Sequence, residues 1–170
     1  AYGAGIDHRI TSYIAFKPNA LYTFKSDHSD KTYACPRTWE FASKLLQSGP
    51  KDLITSAMAK PLFGGVLGEG VAMEFVSFCK VYTTLPKISD IMVNPTTVKV
   101  PIEPSVLYAL TGSLANNMDE TNIGKLIQYV SRMDIEFQVV CLKELMKRKR
   151  TITNTPAMQD WITKNSSKLF

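Results

Sequence analysis

Apolar residues recur at helical spacing in stretch after stretch of this chain. Ile6, Ile10, Tyr13 and Ile14 form one stripe, and Trp39, Ala42, Leu45 and Leu46 a second. Val71, Phe75, Phe78, Cys79 and Tyr82 form a third. Val106, Leu107, Leu110 and Leu114 are followed by Ile123, Leu126, Ile127 and Val130, then by Phe137, Val140, Cys141 and Leu145 with Glu144 at the edge. A stripe of this period turns one helix face towards a core. The chain is therefore expected to be all-α. Thr96–Val100 alone alternates and is β-branched, which allows a short strand.

Proline and glycine divide these stripes. Lys17-Pro18, Gly49-Pro50 and Lys60-Pro61 each read as a stop, with a short helix expected over Lys51–Ala59. The cluster Gly64-Gly65-Val66-Leu67-Gly68-Glu69-Gly70 has no Gly-Lys-Ser/Thr after it, so it is not a P-loop. It reads as a flexible turn leading into a long core helix. Pro86, Pro95, Pro101 and Pro104 break the pattern between two helical regions. The expected organisation is a helical part over 1–82, a proline-rich connection over 83–104 and a helical extension over 105–170 packed on the first part. A last short helix opens at Thr155-Pro156 and holds Trp161 and Ile162.

Length and composition limit the remaining possibilities. The 170 residues are 45% hydrophobic and 21% charged, ordinary for a globular chain with a real core. No apolar run approaches the roughly 18–20 residues that span a bilayer, so no membrane segment is expected. The N-terminus lacks the regions of a signal peptide and an initiator methionine, which reads as a fragment. Cys35, Cys79 and Cys141 are far apart and form no Cys-x-x-Cys pair, so zinc is not expected and a reducing, cytoplasmic setting is. Asp27, His28 and Asp30 fit a polar loop better than a metal site. Asp119, Glu120, Asp134 and Glu136 flank helix starts, where carboxylates are favoured without any catalytic role. The net charge of +5 owes much to Lys143 and Lys147–Arg150. That cluster could neutralise nucleic-acid phosphates or offset the carbonyls at a helix C-terminus. It has no interleaved aromatics on which bases could stack.

Chemistry and architecture meet in Cys35-Pro36-Arg37-Thr38-Trp39-Glu40-Phe41. Pro36 suits the first helical position, where its missing N–H costs nothing. Arg37 then falls in the first turn, beside unpaired N–H groups and the positive end of the helix dipole. A cation is slightly unfavourable there unless an anion arrives to share it. Read by itself, Arg37 could equally be a solvated surface residue.

The Pro36-Arg37-Thr38-Trp39-Glu40 run resembles the sensor-2 motif of MoxR-like AAA+ ATPases, in their bacterial and phage branch. Gly5-Ile6-Asp7-His8 through Ile14-Ala15-Phe16-Lys17-Pro18-Asn19-Ala20-Leu21 resembles the lid helix after the ATPase core. Gly65-Val66-Leu67-Gly68-Glu69-Gly70-Val71-Ala72-Met73-Glu74-Phe75 resembles a later lid helix. Cys35 stands where that family often has serine. The resemblance implies an AAA+ lid-type helical bundle in which Arg37, mounted behind Pro36, reaches the γ-phosphate of ATP. It implies that an N-terminal AAA+ core supplies the Walker motifs, the Mg²⁺ ligands and an arginine finger. It further implies ring neighbours and partners carrying a von Willebrand factor A domain, with the ring acting as a remodelling chaperone. Without a Walker A motif the chain alone is expected to be inactive towards ATP. The alternative is a helical nucleic-acid-binding or adaptor module using Lys147–Arg150.

Overall fold

The computed structural model describes residues 5–26 and 31–166. All regular elements among these residues are helical, as the apolar periodicity requires. The chain divides into two compact units, with the boundary between Thr84 and Leu85. Among the described residues no helix is long and apolar enough to cross a membrane.

The first unit contains α1 (His8–Phe16), α2 (Pro36–Ser48), α3 (Ala59–Leu67) and α4 (Glu69–Val81). Its core is an aromatic cluster to which all four contribute. The Tyr13 ring lies 5.4 Å from Phe75 and 5.4 Å from Phe78, and Trp39 and Phe63 meet Phe75 edge-on at 5.2 and 5.4 Å. Such edge contacts add to the hydrophobic gain of burying the rings. Trp39 also donates its indole N–H to the Ala20 carbonyl at 2.9 Å, fixing the 3₁₀ turn Pro18–Leu21 beneath α2. Asp7 caps α1 through Arg9 N at 2.9 Å, and its own N–H donates to Ser43 Oγ on α2 at 2.9 Å. The start of α1 is thereby tied to the middle of α2.

Two local expectations give way here. Pro61 does not close a helix over Lys51–Ala59; that stretch holds only the 3₁₀ turn Leu53–Thr55, and Pro61 lies in the first turn of α3. A proline is tolerated there because the first-turn N–H groups have no intrahelical partner. Gly64 and Gly65 lie inside α3 rather than in a flexible turn, carried by the burial of Phe63 and Leu67 at 0% exposure. The turn itself is Gly68, whose φ of +85° joins α3 to α4. A Cβ there would also stand 3.2 Å from the Thr32 carbonyl oxygen.

The second unit contains α5 (Ile88–Val93), α6 (Pro104–Asn117), α7 (Ile123–Val130), α8 (Ile135–Arg148) and α9 (Pro156–Asn165). The proline-rich stretch belongs to this unit. Ile91 of α5 is fully buried in its core, and Leu85, Ile88, Met92, Val98 and Val100 pack against the same cluster. No strand forms over Thr96–Val100, because Pro95–Thr97 turn and no partner strand exists among the described residues. The buried face of α8 is rotated from the expected stripe: Phe137 and Val140 are half-buried, while Gln138, Cys141, Leu142, Glu144 and Leu145 face inward. Gln138 is accepted there because it donates to the Met133 carbonyl at 2.7 Å and accepts from Trp161 Nε1 at 2.9 Å. Glu144 is a core residue at 4% exposure, held by Arg148 one turn on at 2.8 Å.

Candidate functional site

The start of α2 is built from both directions. Before it, Thr23 N donates to the Ala34 carbonyl at 2.9 Å and Ala34 N donates to Thr23 Oγ1 at 3.0 Å, so the approach is held in an extended course. Cys35 is the N-cap in extended conformation, and Pro36 occupies the first helical position as expected. Behind the site, Trp39, Ala42, Ser43 and Leu46 seat the helix on the core. Gly49 ends it, where a Cβ would come within 2.5 Å of the Leu45 carbonyl oxygen.

Arg37 is exposed on the first turn. It forms no ion pair with a described residue. Glu40, the carboxylate one turn along, is instead 3.0 Å from Lys44. The guanidinium is therefore available to an anion arriving from outside, next to a helix end that itself favours negative charge. Pro36 contributes no donor; its part is to set the backbone on which Arg37 is mounted. Both Pro36 and Arg37 are exposed at the surface. A groove of about 790 Å³ is lined by Lys31, Lys60, Gly64, Gly68 and Glu69 among others, but neither Pro36 nor Arg37 lines it.

Thr38 is the residue that sequence reasoning passed over. Its hydroxyl accepts the Cys35 N–H at 2.8 Å and lies 3.0 Å from the Cys35 carbonyl and 3.2 Å from that of Tyr33. A hydroxyl-bearing residue three positions after an N-cap was the legible signal, in the manner of a capping box.

The same geometry acts on Cys35. The Thr38 backbone N–H is the main influence holding its thiol below the ordinary range; burial works against this, and the Thr38 hydroxyl, the Arg37 N–H and the Arg37 charge assist. Burial pushes the Cys79 and Cys141 thiols up. Because the thiolate is the nucleophile, iodoacetamide at neutral pH should alkylate Cys35 about tenfold or more faster than either buried cysteine. Peptide mass spectrometry over a time course checks this, and equal rates at the three positions would contradict it.

Of the other candidates, Asp119, Arg148 and Lys149 have partners within the fold. Asp119 accepts from Thr121 N at 2.8 Å, Thr121 Oγ1 at 2.5 Å and Asn122 N at 3.1 Å, so its carboxylate closes the turn before α7. These bonds, led by the Thr121 hydroxyl, hold it below the usual carboxylate range. In the basic cluster, Arg148 is engaged with Glu144, and Lys149 Nζ donates to the Met118 carbonyl at 2.6 Å. Both cations thus serve the second unit's own packing. Asp27, His28 and Asp30 lie outside the described residues. No group of three or more potential metal ligands comes together among the described residues. Comparison with family models, curated proteins and solved structures gave no match.

Proposed function

We propose that this chain is the C-terminal lid region of a MoxR-like AAA+ ATPase, with Arg37 as its sensor-2 arginine. The observation that carries the reading is an exposed arginine with no ion-pair partner among the described residues, on the first turn of a helix opened by Pro36 and anchored by buried Trp39. The Pro-Arg-Thr-Trp-Glu run supplies the family, and the helical fold is compatible with a lid.

In this reading ATP with Mg²⁺ supplies the γ-phosphoryl group that is transferred to water. The residues of this chain fit one end of it only: Arg37 would meet the γ-phosphate oxygens, and Pro36 would fix the turn from which it reaches. The Mg²⁺ ligands, both Walker motifs and the arginine finger would come from an N-terminal AAA+ core. The lid would close on the nucleotide and pass its movement to neighbouring ring subunits and to a remodelled protein partner, with a von Willebrand factor A-domain protein as the expected kind. The engagement of Arg148 and Lys149 within the fold weighs against a nucleic-acid module built on the basic cluster.

The test is the coding sequence upstream of the codon for Ala1. Walker A and Walker B motifs in frame are expected, whereas a start codon directly before it would remove the proposal.

A further inference from the structure

We infer that Thr38 is a positioning residue for Arg37, acting as a bolt across the first turn of α2; this rests on the sensor-2 reading. In an ordinary capping box the N-cap side chain takes the N–H of the third helical residue. Here the N-cap is Cys35, whose sulfur is a weak acceptor. Its sulfur still takes the Thr38 backbone N–H, so both halves of the box are present, and the Thr38 hydroxyl also lies 3.7 Å from it. The strong half of the box is the reverse one, from Cys35 N to Thr38 Oγ1 at 2.8 Å.

The single hydroxyl proton is shared between the carbonyls of Cys35 and Tyr33, at 3.0 and 3.2 Å. Thr38 therefore fixes the residue two before Arg37 and the one four before it, while Pro36 has no φ freedom of its own. Arg37 lies between neighbours held on both sides, which restricts the backbone from which its side chain reaches. The bond from Trp39 N to the Cys35 carbonyl at 3.0 Å is by contrast one that any helix makes. A guanidinium that must meet a phosphoryl oxygen loses effectiveness steeply with small displacements, on the order of a hundredfold for about 1 Å.

The test uses the ATPase that contains this chain and four proteins: unmodified, Arg37→Ala, Thr38→Val and the double variant. Thr38→Val keeps the shape and removes the hydroxyl. It is expected to lower kcat about tenfold with KM for ATP nearly unchanged, and Thr38→Ser to restore most of the rate. In the Arg37→Ala background Thr38→Val should cost nothing further, because a residue acting through the arginine has no effect once the arginine is gone. An unchanged kcat in Thr38→Val would overturn the inference. So would a loss that persists in full in the double variant, or a collapsed melting transition in Thr38→Val, since Thr38 would then support the fold and not the arginine. Those results leave the sensor-2 reading intact. Full activity in Arg37→Ala would instead remove that reading and this inference with it.

Discussion

Replacing Arg37 with alanine should lower ATP hydrolysis by an order of magnitude or more in the ATPase proposed to contain this chain, with the lid still folded. Charge develops on the γ-phosphoryl oxygens during transfer, and a guanidinium held against them stabilises that charge by electrostatics and position. One such contact is worth about 2–4 kcal/mol by analogy with oxyanion donors. The residue is exposed and unpaired with any described carboxylate, so its removal leaves no buried partner behind. Arg37→Lys should recover only part of the rate, because the planar fork is lost while the charge remains. Steady-state turnover beside a melting curve separates the outcomes. Normal turnover in folded Arg37→Ala would end the sensor assignment and leave the helical fold standing.

Trp39→Ala is expected to act on stability instead, at roughly 3–5 kcal/mol. The side chain is 3% exposed, touches Tyr13 and Phe75 through its rings and holds the Ala20 carbonyl through its N–H. Truncation removes a large buried surface and leaves the Ala20 carbonyl, in a 3%-exposed residue, without its indole donor. For a unit of this size the loss corresponds to more than about 10 °C in melting temperature. Trp39→Phe should lose less, since a ring still fills most of the space. Thermal unfolding followed by far-UV circular dichroism measures both. A shift of a degree or two in Trp39→Ala would show that the aromatic cluster does not hold the first unit together.

The sequence was most legible where local and long-range signals agreed. For α2, the proline start, the apolar stripe and the glycine stop all describe one helix, and the helix runs from Pro36 to Ser48. Exposure of Arg37 followed from its place on that helix. For α3 the signals conflicted. Lys60-Pro61 looks like a stop and Gly64-Gly65 like a turn, yet buried Phe63 and Leu67 draw the segment into a helix, overriding propensities of about 1 kcal/mol per glycine. The inward turn of Glu144 and the Gln138–Trp161 bond were out of reach for a different reason. Each depends on a partner or a helix rotation that periodicity does not resolve, and Gln138 meets Trp161 only after the second unit has closed. Thr38 lies between these cases: its spacing from Cys35 was visible, but a capping box built on a cysteine N-cap was not.

Each unit contains one of the chain's two tryptophans, and each indole is buried with its N–H bonded, Trp39 to a backbone carbonyl and Trp161 to the Gln138 side chain. The molecule therefore carries a separate intrinsic fluorophore in each half. Loss of either core exposes its own indole to water and shifts its emission to the red, so Trp39→Phe and Trp161→Phe variants would let a denaturant titration follow one core at a time.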